Sequence, residues 1–446
     1  MEENRRDQPI SIAREVEMLK VRRCLRTLFY GAVLLALCSF LIAMQRAALH
    51  AQARGGGITV YEGARLIVGD GSAPIENGAF VVDGARFTQV GRTGQLPVPL
   101  GARRVDLRGK TVMPAIIDTH THMSTDRETL IDQLQRKAYY GAAVVTSLGQ
   151  DAGDVAFQVR AETIPNAARL LTAGRGITMP EPGRSEAPYW VTSVAEARKA
   201  VQELSAKKVD IVKIWVDDRN GAYKKLPPEI YRAVIEDAHR MGLRVTAHIF
   251  ALEDAKGLLK AGIDAFAHGV RDRDIDDEFV SMMRQQPLVV LVPNLPDRGV
   301  AVDLSWLAES VPADELKKLQ AAATDRPAAQ QTFGIQARNL AKLNAAGVRI
   351  ALGTDGNTPW AHHLEMEDMV AAGMTPAQVI TAATRNAAEL LRLNDAGAIA
   401  AGKSADFLVL DANPLDDIRN TRRISAVYLR GAAVDRDALR ARWMSR

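Results

Sequence analysis

Six residues carry most of the chemistry this sequence could perform: His120, His122, Lys213, His248, His268 and Asp355. The stretch VMPAIIDTHTHM, from Val112 to Met123, runs apolar and then places two of the chain's eight histidines one residue apart. On a strand, residues i and i+2 share a face, so the two imidazoles converge on one point and can grip a metal. Alone, such a pair would serve equally to cap a strand. His248 lies in RVTAHIF, His268 ends AFAH and Asp355 follows IALGT. Singly, each reads as a strand-end histidine or a helix cap; four imidazoles and a carboxylate arriving together at the ends of several strands point to a metal site. Lys213 interrupts the apolar run VDIVKIWV. A buried unpaired ammonium is costly, and a protonated amine has no lone pair with which to ligate. Lys213 therefore needs either a carboxylate partner or a neutral state. A neutral amine reacts with CO2 to give a carbamate, N6-carboxylysine, a long carboxylate able to bridge two cations.

These residues need a scaffold that brings strand ends to one rim. Between Thr111 and about Leu391, short apolar runs alternate with amphipathic helical windows. Eight candidate strands result: Val112–Ile117, Ala143–Ser147, Arg169–Ala173, Ile211–Val216, Val245–His248, Ala265–His268, Leu288–Val292 and Ile350–Gly353. A capping box, Ser193 to Glu196, opens one intervening helix, and Pro227-Pro228 opens the next, which Gly242 ends. The pattern predicts an α/β fold, a parallel (β/α)8 TIM barrel with its active site at the C-terminal ends of the strands. Residues 58–110 read as short strands broken by Gly and Asp-Gly turns, and residues 392–446 have the same character. We expect both ends of the chain to combine into one small β-sandwich flanking a barrel of residues 111–391.

The ordered set VMPAIIDTHTH, VKIW, TAHIF, FAHG and ALGTDGN, with MTPAQVITAATRNAAELLRLNDAGAIAAGKSADFLVLDANPLDDI near the end, resembles the amidohydrolase superfamily over residues 58–435. Within it, the binuclear carboxylated-lysine branch is the match, and imidazolonepropionase-like proteins with prolidase or dipeptidase activity look nearest. The resemblance implies that His120, His122 and Asp355 hold one divalent ion and His248 and His268 a second, with carboxylated Lys213 bridging. It also implies a water activated between the two ions, with Asp355 as the catalytic acid-base that moves its proton to the leaving amine. Imidazole and carboxylate donors without thiolate suit zinc, with manganese or cobalt tolerated. Two departures stand out. Relatives often carry Thr-Gly-Gly-His after strand three where this chain reads GRGITMPEPG, and Ala115 stands where relatives usually have glycine.

The expected reaction is hydrolysis of a small amide or peptide bond, as in a dipeptide or an N-acyl amino acid. The alternatives are a lactone, organophosphate ester or cyclic imide on the same site, or a non-catalytic relative, which retention of all six positions argues against. Arg175, Tyr223, Arg271 and Arg273 fall in loops at the rim and could bind a substrate carboxylate; His362 and His363, just beyond Asp355, could reach it too. His239 reads as a surface residue of a helix.

Residues 1–57 hold nine Lys or Arg against five Asp or Glu, the whole of the +4 net charge, so the remainder is neutral and offers no footprint for nucleic acid. Both cysteines, Cys24 and Cys38, lie in this leader, which leaves the body without a disulfide. The leader itself runs from basic residues (Lys20, Arg22, Arg23, Arg26) through an apolar stretch, Leu28–Met44, to Ala51-Gln52-Ala53, the layout of a secretory signal with an A-x-A cleavage site. The competing reading is a retained membrane anchor over residues 28–44. Cys38 follows a leucine, a poor context for lipidation, and Met18 is an alternative start. Either reading sends the body out of the cytoplasm, to the periplasm or beyond; a homo-oligomer is left open. N-terminal sequencing of the exported protein should find a chain beginning near Arg54. Intact residues 28–44 in a membrane fraction would establish the anchor instead.

Overall fold

A computed structural model describes residues 57–445. The leader features, including Cys24, Cys38 and the apolar stretch 28–44, lie outside the described residues. Among the described residues, no helix is long and apolar enough to cross a membrane.

The body opens with five strands, β1 (Thr59–Leu66), β2 (Ile75–Asp83), β3 (Arg86–Arg92), β4 (Arg103–Asp106) and β5 (Thr111–Pro114). β1 is their hub: it pairs antiparallel with β2, parallel with β4 through Thr59–Glu62, and parallel with β5 through Arg65 and Leu66. The change of partner falls at Gly63, where the register shifts and φ is +92°. A side chain there would meet Arg108 Cγ at 2.6 Å, so only glycine lets β1 turn from one neighbour to the other.

The run expected as one strand, Val112–Ile117, is two. Thr111–Pro114 joins β1, whereas β6 (Ile116–Thr121) begins a separate parallel sheet with β7 (Ala142–Ser147) and β8 (Arg169–Thr172). Pro114 has no N–H to continue a ladder, and the Ala115 N–H is given to Asp406 O at 3.0 Å, which divides the run between two sheets. A second parallel sheet contains β9 (Ile177–Thr178), β10 (Tyr189–Trp190), β11 (Val212–Val216), β12 (Val245–Ile249), β13 (Ala265–Ala267), β14 (Val290–Val292) and β15 (Arg349–Ile350), in the order β10-β9-β11-β12-β13-β14-β15. The eight expected strands are thus ten, because the loop after β8 contributes two short ones. The last expected strand is cut from Ile350–Gly353 to two residues, since Leu352 gives its carbonyl to Thr119 instead. Every residue of β6, β7, β11 and β12 is buried, which suits strands covered on both faces.

The helices supply that cover. Helix Pro228–Arg240 opens at Pro227-Pro228, buries Ile230, Tyr231, Val234 and Ile235, and is followed by Gly242 at φ +74°. Helix Val194–Ala206 forms only half of the expected capping box. Ser193 accepts from Glu196 N, but the Glu196 carboxylate accepts from Thr192 N and Thr192 Oγ1. A complete box forms at Thr375 and Gln378.

The chain returns as β16 (Phe407–Leu410), β17 (Ile424–Leu429) and β18 (Ala432–Ala433), and β16 pairs antiparallel with β5. Both ends of the chain therefore share one eight-stranded sheet. Aromatic residues lock the two ends together: Phe407 stacks on Tyr428 at 4.4 Å between centroids, Tyr61 on Phe80 at 4.9 Å, and Phe80 meets Phe407 edge-on at 5.0 Å. Each such pair contributes about 0.5–1.5 kcal/mol beyond its area burial. This is an α/β fold whose terminal sheet fixes where the first parallel strand begins.

Candidate metal centre and active site

The ends of β6, β12, β13 and the segment after β15 bring five of the six residues to one place. His120 is the penultimate residue of β6 and His122 lies just beyond the strand; His248 is in β12, and His268 follows β13. Asp355 carboxylate oxygens lie 3.0 Å from His120 Nε2, 3.0 Å from His122 Nε2 and 3.4 Å from His268 Nε2. His248 and His268 are 4.5 Å apart between ring centroids. Donor atoms of His120, His268 and Asp355 all fall within 4.8 Å of one another, the compactness a single cation requires.

Backbone geometry holds this cluster. Thr354 N and Asp355 N both donate to His120 O, at 3.0 and 2.8 Å, so the aspartate loop is tied directly to the histidine strand. Asp355 has φ +53° and His268 φ +116°, conformations that cost an L-residue about 1–3 kcal/mol each. Such values persist only where the surrounding bonds fix them, and here they aim the carboxylate and imidazole inward.

The electrostatics prepare these groups as ligands. Burial drives His120 down to about 3 and holds His248 and His268 well below the ordinary imidazole range, leaving neutral rings. Burial acts to raise Asp355, but His120, His122 and His268 outweigh it and keep the carboxyl ionised. Lys213 is wholly buried, its Nζ has no hydrogen-bond partner, and desolvation lowers its pKa from 10.5 to about 7. Among the described residues no carboxylate pairs with it, which leaves the neutral-amine alternative. His120 Nε2 and both ring nitrogens of His268 likewise lack hydrogen-bond partners. Orphaned, deprotonated imidazoles beside an ionised carboxylate fit a divalent cation.

The loop residues divide. Arg271 lines a cavity of about 570 Å³ whose wall also includes His268, Asp355, Phe250, Asn294 and Gln336. Its Nη2 lies 3.0 Å from His248 Nε2 and donates to Ile249 O at 2.7 Å. Arg175 is engaged elsewhere: it donates to the carbonyls of Ala187 and Pro188 and stacks over Tyr189 at 4.2 Å, pinning its own loop. Tyr223 donates to Pro182 O at 3.1 Å and Arg273 to Asp272 at 2.7 Å on the surface. His362 and His363 are wholly buried, both bonded to Tyr140 O at 2.8 and 2.9 Å, with His363 also on Thr421. They are packing residues rather than rim residues, because helix Ala361–Ala371 turns its first histidines into the core. His239 pairs with Asp264 at 2.8 Å near the surface.

Sequence reading missed the supports. Asp118 and Lys137 form a fully buried ion pair at 3.0 Å, and Thr354 Oγ1 donates to the same Asp118 carboxylate at 2.8 Å. The charge of Asp118 inside an apolar run was the available signal. The Asn294 amide, on a residue with φ +41°, lies 2.8 Å from His120 Nδ1 and turns His120 Nε2 toward Asp355. Arg219 Nη1 lies 2.8 Å from His248 Nε2 and 2.8 Å from Asp217, and Asp217 in turn lies 2.9 Å from His248. Only proximity in space singles out Asn294 and Arg219.

The amidohydrolase family model matches residues 111–434. The chain belongs to the amidohydrolase family. It is a hydrolase acting on carbon–nitrogen bonds. Among its relatives, the ochratoxinase of Aspergillus niger is 26% identical over 427 residues, covering 83% of this chain and 84% of that protein. The imidazolonepropionase of Deinococcus radiodurans is 27% identical over 390 residues, covering 80% of this chain and 92% of that protein. A crystal structure of a Xaa-Pro dipeptidase with bound methionine in its active site shares the fold, with a TM-score of 0.68 and 23% identity over 84% of this chain and 99% of that one.

The state of Lys213 has a thermodynamic signature in metal-free, CO2-free protein. Its folded-state pKa of about 7 lies below the unfolded value of 10.5, so between those limits the unfolded chain binds the additional proton. Stability should therefore rise with pH across that window, by about 1.4 kcal/mol per pH unit relative to Lys213→Met. Urea denaturation of both proteins checks this, and parallel pH profiles would mean that Lys213 stays charged when buried.

Proposed function

We propose that this amidohydrolase is an exported, binuclear metal enzyme that cleaves the amide bond of a small dipeptide or N-acyl amino acid carrying a free carboxylate. The observation that carries the reading is a set of neutral imidazoles and the ionised Asp355 converging on one cavity, with the unpaired Nζ of Lys213 buried close enough to feel the Asp355 charge. In this reading the two parallel sheets are arcs of one (β/α)8 barrel. Hydrogen bonds at the two seams support that, from Thr119 N to Leu352 O at 3.0 Å and from Asp210 N to Thr172 O at 2.9 Å. The terminal sheet then flanks that barrel, in the place expected of the β-sandwich.

His120, His122 and Asp355 would hold one ion and His248 and His268 the other, with carboxylated Lys213 shared. Two divalent ions, zinc by ligand type, would supply Lewis-acid polarisation of the scissile carbonyl and would lower the pKa of water enough to yield hydroxide near neutral pH. Asp355 takes the proton released by the attacking water and delivers it to the departing nitrogen. Burial of His120, His248 and His268 keeps them unprotonated, and Asn294 and Asp118 keep the histidine strand and the aspartate loop in register. Arg271 is the one guanidinium lining the cavity among the described residues, and it recognises the substrate carboxylate by charge-assisted hydrogen bonds. The names of the relatives, ochratoxinase, imidazolonepropionase and Xaa-Pro dipeptidase, describe different substrates, so the family supports the bond class and Arg271 supports the carboxylate. The leader supports export.

Metal analysis tests the centre. The wild-type body should carry about two zinc ions per chain and Lys213→Ala should lose most of them, since a methyl group cannot bridge; full retention of metal and activity would remove the bridging lysine. Substrate recognition has its own test. Dipeptides and N-acyl amino acids should be cleaved about 10-fold or more faster in kcat/KM than their C-terminal amides, as expected for loss of a charged hydrogen bond. Equal rates would mean that no carboxylate is read.

A further inference from the structure

We propose that Gln336 is a specificity-determining residue that pairs with a carboxamide group of the substrate. This rests on the amide-hydrolase reading of the cavity above and names a group that its substrate carries. Gln336 lies on helix Pro327–Ala345, which presents Gln331, Thr332, Ile335 and Gln336 to the cavity that also exposes His268 and Asp355. The Gln336 side chain is only 3% exposed, and both ends of its amide, Oε1 and Nε2, lack a hydrogen-bond partner among the described residues.

The same helix shows that this is not how the fold treats a buried amide. One turn on, Asn339 is saturated: its Oδ1 accepts from Ile275 N at 2.9 Å, and its Nδ2 donates to Val270 O at 3.1 Å and Arg273 O at 2.9 Å. Buried polar groups are nearly always paired, and each unpaired one is destabilising. An amide left empty three residues from a filled one, on the wall of the reaction cavity, reads as a site kept for a ligand. It is placed for that: a Cβ built on Gly269, the residue after His268, would stand 4.0 Å from Gln336 Oε1. The terminal torsion of glutamine is soft, so the amide turns toward the cavity without leaving a rotamer well.

The chemistry of the partner follows from the two free atoms. Oε1 repels a carboxylate and Nε2 repels an ammonium, whereas a carboxamide offers a donor and an acceptor in matching positions. Sites built to hydrogen-bond a substrate group reject analogues that lack it, because their own polar atoms are then stranded.

Two near-isosteric pairs test this on zinc-loaded protein by isothermal titration: N-acetyl-L-glutamine against N-acetyl-L-methionine, and L-glutaminylglycine against L-methionylglycine. In at least one pair the carboxamide compound should bind about 10-fold or more tightly, and Gln336→Met should erase the difference while zinc content is unchanged. Gln336→Met should also keep or raise the melting temperature, since it removes two stranded polar groups. No preference in either pair, failure of all four probes to bind, a preference that survives Gln336→Met, or a melting temperature that drops by several degrees in the variant would each overturn the assignment. The hydrolytic reading stands or falls separately, on zinc content and on turnover of carboxylate-bearing amides.

Discussion

The buried amine of Lys213 is the constraint around which the rest of this molecule is arranged. Strand β11 carries it into an interior with no counter-charge on its Nζ, and the chain around it is shaped to keep it there. A side chain on Gly149 would collide with Lys213 Cγ at 2.8 Å and with the Trp215 ring at 2.6 Å. An ammonium so enclosed is destabilising, and a neutral amine is not. The site thus favours the one protonation state from which a carbamate can form. The same desolvation strips protons from His120, His248 and His268. One physical effect, the exclusion of water, prepares Lys213 and these three histidines.

Exclusion of water alone would leave these groups unplaced, and placement comes from a few hydrogen bonds between segments far apart in the chain. His120 O accepts two backbone N–H groups from the aspartate loop, and Asp118 binds both Lys137 and Thr354. Because Asp118 and Lys137 are both fully buried, removing either would strand the other's charge, so the pair fixes position at some cost in tolerance to change. The positive φ values at His268, Asn294 and Asp355 are maintained by this framework. Strain at the rim and rigidity beneath it are two sides of one arrangement.

Much of this was legible in the linear chain. Alternation of short apolar runs with amphipathic windows announced an α/β fold with parallel strands, and the HxH pair, Lys213, His248, His268 and Asp355 stood out because charged or metal-binding types ended or interrupted apolar runs. The division of Val112–Ile117 between two sheets was not legible, since Pro114 becomes a break only when Asp406, nearly three hundred residues later, takes the Ala115 N–H. Nor was the fate of His362 and His363, whose proximity to Asp355 in sequence is undone by the direction in which their helix starts.

The sequence by itself determined which atoms were available, because ligand chemistry and burial of apolar runs depend on residue type and local period. It therefore set the donor set, the fold class and the neutral charge of the body. The tertiary structure decided which loop residues face the cavity. Arg175, Tyr223 and Arg273 are held by local partners away from the cavity, whereas Arg271, although bonded to Ile249 O, and Gln336 line it, and Asn294 and Arg219 reach histidines 174 and 29 positions away. Whether a polar side chain is spent or free depends on what stands within about 3 Å of it, and that distance is set by the packing of elements that the linear order does not bring together.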